Sequence, residues 1–196
     1  MLIGLDFDNT VVCYDKAIAQ LADELFQLPA DLPRSKIHLR DYLRSAGRES
    51  DWTAFQGELY GPGMAYAEPF TGAEQAMRDL KALGHILCIV SHRSRYPYAG
   101  PKYDLHKAAR TWVTERLVKK GLFNEKSVYF HETREQKIAT IASLGCNLFL
   151  DDLPEVLSDH EFPKACKPVL FDVSGVHSKN TFARIQDWAG LMAKVH

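Results

Sequence analysis

No run of about 18 apolar residues occurs in this 196-residue chain, which argues against a membrane-spanning helix. Cysteine is scarce. There are four, and Cys13, Cys88, Cys146 and Cys166 include no CxxC pair, so neither a disulfide-stapled scaffold nor a zinc ribbon is expected. Cys88 and Cys146 lie beside or within apolar runs and read as buried, reduced thiols. The eight histidines show no HExxH or similar ligand spacing. Neither sign of charge is in excess: 24 Lys and Arg against 25 Asp and Glu leave a formal net charge of -1. That argues against a nucleic-acid polymer or an anionic membrane held by bulk charge, though not against a locally charged cleft. The first residues, MLIGLDFD, lack a basic segment and reach two Asp by position 8, so the expectation is no signal peptide and a cytoplasmic location. What is present is ordinary for a globular protein, with 46% hydrophobic and 25% charged residues, enough chain for one domain plus an embellishment.

Five short apolar runs, at 2–7, 85–90, 127–130, 147–150 and 168–173, read as strands. They are continuous rather than alternating, which suits a parallel sheet buried on both faces. Helical patterns lie between them. Thr71-Gly-Ala-Glu74 reads as a capping box before Ala76, Met77 and Leu80, with Gly84 as terminator. A helix over 104–120 ends at Gly121, and Thr133-Arg-Glu-Gln136 is a second capping box closed by Gly145. The spacing of Phe182, Ile185, Trp188, Ala189 and Met192 predicts a last helix over 181–193. Strand–helix alternation with short links implies a three-layer, doubly wound, Rossmann-like α/β fold. Residues 13–70 break the alternation. Ile18, Leu21, Ala22 and Leu25 make one helical face, 37–46 a weaker one, and Trp52, Phe55, Leu59 and Tyr60 a third with Asp51 as its N-cap. The expectation is a small helical insert at 13–70 in a core formed by 1–12 and 71–196.

Ligands of doubly wound sheets bind outside the carboxyl ends of the strands. Those ends read Asp6-Phe7-Asp8-Asn9-Thr10, Ser91-His92-Arg93, His131 and Asp151-Asp152. Asp8-Asn9-Thr10 is turn-prone. Four carboxylates on one edge would repel one another and raise each other's pKa. A divalent cation relieves this, and an all-oxygen ligand set (Asp6, Asp8, Asp151, Asp152) favours Mg²⁺ over Zn²⁺ or Cu²⁺.

The strand-end DFDNT, the strand-end Ser91, Lys137 at the head of a helix and the acidic pair in LFLDDLPEVL resemble, in order, the four motifs of the haloacid dehalogenase (HAD) superfamily. The stretch EPFTGAEQAMRDLKALGHILCIVSHRS is similar to the family's run into its second motif. The resemblance implies that Asp6 is the nucleophile, forming an aspartyl-phosphate. Asp8 would be the general acid and base, with its backbone carbonyl on Mg²⁺. Asp152 aligns with the direct metal ligand, leaving Asp151 as a supporting group or alternative ligand. Ser91 would hydrogen-bond a phosphoryl oxygen, and Lys137 would neutralise phosphate charge and hold Asp6 ionised. Lys126 is a rival to Lys137, but Lys137 stands one helix and one strand before Asp151 and so faces the same edge. An insert after the first motif corresponds to the family's helical cap, which excludes water and selects substrates.

Thr10, His92 and Arg93 join Ser91 and Lys137 as candidate substrate contacts. The loop HRSRYPYAGPKY combines Arg with three tyrosines, which suits a phosphorylated substrate carrying a ring, or equally a solvated turn. Glu155 reads evenly as a supporting group or a solvated acid. Trp52, Trp112 and Trp188 read as core aromatics, and His131 as a structural histidine. The expected activity is a Mg²⁺-dependent phosphatase acting on a small phosphorylated metabolite, a nucleotide or a sugar phosphate. Phosphotransfer or mutase chemistry through the same intermediate is the alternative within enzymology. A catalytically idle protein binding a phospho-ligand or a partner is the alternative from another class.

Overall fold

The structure is a computed structural model and describes residues 1–177 and 182–195. The chain runs β1 (Leu2–Leu5), β2 (Val12–Cys13), α1 (Asp15–Leu25), α2 (Lys36–Ser45), α3 (Glu49–Tyr60), β3 (Glu68–Pro69), α4 (Ala73–Ala82), β4 (Ile86–His92), α5 (Leu105–Val113), β5 (Val128–His131), α6 (Arg134–Leu144), β6 (Leu148–Asp151), α7 (Pro154–Leu157), β7 (Lys167–Phe171), β8 (Ala183–Ile185) and α8 (Ala189–Met192). It forms two compact units. The larger comprises Met1–Val12, Pro69–Arg93 and Thr114–His196, and the smaller Cys13–Glu68 and Ser94–Val113.

The larger unit is built on a six-stranded sheet in the order β5-β4-β1-β6-β7-β8, parallel throughout and flanked by helices. This is the expected Rossmann-like α/β class. All five expected strands are present, because runs such as Leu87–Val90 and Leu148–Leu150 are buried on both faces. From β1 the chain moves to β4 and β5 on one side, then returns to β6 on the other. That reversal opens a crevice at the carboxyl ends of β4, β1 and β6, where ligands bind in such sheets.

Local signals fared unevenly. The box at Thr133 forms: its hydroxyl accepts the Gln136 amide at 3.3 Å, and Gln136 reaches back to the Glu132 amide at 3.2 Å. Gly145, at φ 66°, then ends α6 in the left-handed conformation that favours glycine. The box at Thr71 does not form. Gly72 takes the N-cap position of α4 at φ 82°, and Glu74 instead pairs with Lys120. Asp51 lies inside the first turn of α3 rather than capping it, and is paired with Arg48 at 2.6 Å.

The helix expected over 181–193 is corrected. Residue 181 lies outside the described residues. Ala183–Ile185 is an edge strand paired with β7, and the helix is a single turn, Ala189–Met192, after Asp187 accepts the Gly190 amide at 2.9 Å. Strand pairing buries Ile185 as well as a helix would, so the apolar spacing alone did not decide between them.

In the smaller unit, α1, α2 and α3 are buried along Ile18, Leu39, Leu43, Trp52, Phe55 and Leu59. Phe26 and Trp52 each lie 5.8 Å from the Phe55 ring. The expected boundary at residue 70 left the stretch after Arg93 in the core, but Ser94–Val113 belongs to this unit. The reason is packing. Gly57 has no side chain, so Pro97 lies directly on α3; an added Cβ would stand 2.9 Å from the Pro97 Cβ. Tyr103 donates to the Glu58 carboxylate at 3.1 Å, and the Trp112 indole donates to the Ala67 carbonyl at 2.9 Å. The apolar side of α5, Leu105, Ala109 and Trp112, is thereby buried.

Candidate active site

All of the candidate residues belong to the larger unit. Beyond β1 the Asp6 amide donates to the Leu150 carbonyl at 2.8 Å, which keeps Asp6 on the sheet and buries it. The chain then turns. The Phe7 carbonyl accepts the amides of Val11 and Val12 at 3.1 and 3.0 Å, and Asn9 takes φ 55°, the single non-glycine positive φ among the described residues. Asparagine tolerates that conformation better than most residues, so the turn-prone triplet behaves as expected. Phe7 is buried edge-on against Phe130 at 5.2 Å and anchors the turn. Thr10 is fully buried, with its carbonyl accepting the Trp188 indole at 3.1 Å.

Lys137, in the first turn of α6, reaches the same edge. It is fully buried, with Nζ 2.6 Å from Asp6 Oδ1 and 2.6 Å from Asp151 Oδ2. The Phe149 ring lies beneath it, its centroid 5.4 Å from Nζ. Lys126, the rival, is exposed. Burial opposes the Lys137 charge, but the carboxylates of Asp151 and Asp6 outweigh it and hold the ammonium above the ordinary lysine range. The second Asp151 oxygen accepts the Leu153 amide at 3.0 Å, so both oxygens are occupied by protein. Burial still pushes the Asp151 carboxyl up, to about 7, against the pull of Lys137.

Asp152 differs from its neighbour. Among the described residues its carboxylate has no hydrogen-bond or ion-pair partner. Burial, then the charges of Asp6 and Asp151, drive its pKa well above the ordinary range. Carboxylate oxygens of Asp6, Asp151 and Asp152 all lie within 4.8 Å of one another. Three carboxylates and one lysine leave the cluster short of positive charge. All-oxygen donors that lack a counter-charge fit a hard divalent cation such as Mg²⁺.

Asp8 lies at the same strand edge, close enough for its charge to help raise the Asp152 pKa, and its Oδ1 stands 3.7 Å from the Arg93 guanidinium. That arginine side chain is 6% exposed, and its amide donates to the His131 carbonyl at 2.9 Å. Ser91 is fully buried, and its hydroxyl, like that of Thr10, has no hydrogen-bond partner among the described residues. A buried hydroxyl without a partner is costly, and two in one crevice leave donors for an incoming oxygen. His92 follows Ser91, with its ring Nδ1 buried; desolvation and then the Lys137 charge lower its pKa, which favours the neutral imidazole. His131 Nε2 lies 2.8 Å from the Thr140 hydroxyl, as suits a structural histidine. Glu155 is exposed.

Two supports of the site were not anticipated. Trp188 was expected simply to fill the core, yet its indole holds the Thr10 carbonyl from 178 positions away. Phe149 supplies the ring beneath Lys137 from within a strand that read merely as apolar. No local signal marks either role.

No family model and no curated protein matches the chain. Solved structures match it along its length. It is similar to a HAD-superfamily hydrolase from Ehrlichia chaffeensis at 14% identity and a TM-score of 0.59, over 99% of this chain and 95% of that one. It is similar to a predicted phosphoglycolate phosphatase from Haemophilus somnus at 16% identity and a TM-score of 0.58, over 100% and 97%. A third match is protein tyrosine kinase A of Mycobacterium tuberculosis, at 15% identity and a TM-score of 0.64, over 99% and 97%. The chain therefore has the fold of HAD-superfamily hydrolases. Among the described residues, no helix is long and apolar enough to cross a membrane.

Proposed function

We propose that this protein is a Mg²⁺-dependent phosphatase that hydrolyses a small phosphate monoester through an aspartyl-phosphate. The observation that carries the reading is the buried Lys137 between Asp6 and Asp151, with the uncompensated Asp152 beside it. Asp6 attacks phosphorus while Asp8 gives a proton to the departing oxygen, so the leaving group goes as an alcohol. Asp8 then takes a proton from water. The water oxygen attacks the phosphorus of the aspartyl-phosphate, the bond to Asp6 breaks, and inorganic phosphate leaves. Arg93 holds the Asp8 carboxylate in place. Lys137 lowers the repulsion between the Asp6 carboxylate and an anionic substrate, while Ser91, Thr10, His92 and Arg93 receive the phosphoryl oxygens. Asp6, Asp152 and the Asp8 carbonyl would hold Mg²⁺, which supplies positive charge against the phosphoryl group. Asp151, occupied by Lys137 and Leu153, positions the lysine. The smaller unit acts as the helical cap, and the setting is cytoplasmic.

Hydrolysis of p-nitrophenyl phosphate tests this. It should require Mg²⁺ and fall by about 10⁴ or more in Asp6→Asn. Turnover that survives chelation, or survives that substitution, overturns the mechanism. The likeness to a tyrosine kinase favours a second reading, phosphoryl transfer to an acceptor hydroxyl. Phosphate passing to an added alcohol or sugar at the expense of water supports transfer. Failure to form a fluoroberyllate adduct at saturating Mg²⁺ favours an idle phospho-ligand binder. A phosphate-release screen over metabolites would name the substrate.

A further inference from the structure

The smaller unit contains a cavity of about 130 Å³ between α3 and the segment that follows Arg93. We infer that this cavity binds a single planar heterocycle with a hydrogen-bond donor and acceptor side by side on its edge, the chemistry of a pyrimidine base or a ring carboxamide. The inference is independent of the phosphatase reading, because every residue it uses lies in the smaller unit.

Size comes first. A protein cavity of about 150 Å³ takes one benzene-sized ring, so this cavity, open to solvent on the Tyr98 side, encloses one ring and leaves any further part of a ligand outside. Shape comes next. Tyr60, Pro97 and Tyr98 line the cavity with flat surfaces, and the buried Leu105 adds an apolar one. Two of these surfaces are fixed. Tyr60 meets the Tyr14 ring edge-on at 5.2 Å and its hydroxyl accepts from Lys36 Nζ at 3.1 Å, while Pro97 is seated on Gly57. Tyr98 is 89% exposed, which leaves most of its ring available to a ligand. Flat walls around a one-ring space favour stacking over an aliphatic guest.

Polarity narrows the class further. No charged side chain lines the cavity, which disfavours a phosphate, a carboxylate or a cation inside it. Thr53, Gln56 and Ser94 line it with neutral polar side chains; the Thr53 hydroxyl donates to the Glu49 carbonyl at 3.0 Å, while Gln56 and Ser94 have no hydrogen-bond partner among the described residues. A glutamine amide presents a donor and an acceptor together, the pair that reads a donor–acceptor edge of a base. A phenol hydroxyl donates and accepts at one atom, whereas a pyrimidine or a carboxamide carries donor and acceptor on neighbouring atoms, as the glutamine amide requires.

The test is calorimetric titration of the purified, metal-free protein with uridine, cytidine, nicotinamide, adenosine and phenol. At least one of the first three should bind at one site, about tenfold or more tighter than adenosine or phenol. Gln56→Leu should weaken that binding by about tenfold, and Tyr98→Ala should weaken it too, with the circular dichroism spectrum unchanged. The relative affinities of uridine, cytidine and nicotinamide identify the source of the ring. No saturable binding up to about 10 mM overturns the inference. So does phenol or adenosine binding as tightly as the best ligand, or a Gln56→Leu variant that binds as well as the parent.

Discussion

The middle and the end of the same three strands solve opposite problems. At mid-strand, Gly4 of β1 pairs with Cys88 of β4 and Phe149 of β6, and the space around them is filled by neutral matter. The Cys88 and Cys146 sulfurs lie 3.8 Å apart, and Cys166 joins the same apolar cluster. Just beyond, Asp6, Asp151 and Lys137 are equally buried but charged. Dispersion and exclusion of water hold the first region, and any shape-preserving apolar exchange suits it. The second is held by compensation of charge. Losing one member there leaves a buried charge exposed to its like, not merely a hole. Burial alone therefore does not measure what a side chain contributes; the charge left behind on its removal does.

Substitution should break that contrast most visibly at Lys137. Lys137→Met keeps most of the volume but strands two buried carboxylates, and should cost about 3–5 kcal/mol in urea unfolding at pH 8. A loss no larger than that of an apolar truncation would erase the contrast.

Proton and metal linkage come next. An unfolded aspartate titrates at about 4, and the folded Asp151 at about 7. Between those values the folded chain holds the extra proton. This contribution to stability is full below pH ~4 and is lost as pH rises through about 7. Asp152 shifts in the same direction. The metal-free protein should thus melt lower at pH 8 than at pH 5, and Mg²⁺ should raise Tm at pH 8 by several degrees more than at pH 5. Equal Mg²⁺ effects at both pH values would count against a cation among these carboxylates.

The neutral region should give smaller effects. In Gly4→Ala the new Cβ would stand 2.8 Å from Phe149 Cε2 and 3.1 Å from Cys146 Sγ. Overpacking of this kind costs about 1–3 kcal/mol, to be read from the urea midpoint. The smallest effect should come from Cys166→Ala, about 1 kcal/mol, with Mg²⁺ dependence unaltered.

Much of the charged end was legible in the sequence because it is written in strand termini. An apolar run that stops at DFDNT or at DD places its acids at the sheet edge, and Lys137 follows from one helix and one strand of spacing. The pairing of Asp8 with Arg93 was not legible, since it depends on where the strand end after Ser91 places the guanidinium. The difference between Asp151 and Asp152 came from the resemblance and not from the residues alone, because it rests on Lys137 and the Leu153 amide meeting the Asp151 oxygens. In the fold, five strands were continuous apolar runs and could be read. β8 has three residues, and pairing with β7 makes it a strand rather than its own composition. The assignment of Ser94–Val113 turned on Gly57, whose missing side chain matters only once Pro97 is known to lie on it.

The salt link between Lys137 and Asp6 joins residues 131 apart in sequence. β1 precedes both of its sheet neighbours, and β4 and β6 follow it by about 80 and 145 residues. During synthesis Asp6 is therefore made well before its partners, and its surroundings close only after β6 has been added. Such long-range pairing is slow to form. A chain stopped short of β6 would hold the first acid of the site and neither the lysine's second carboxylate nor Asp152, so the buried charge cluster is a late product of folding.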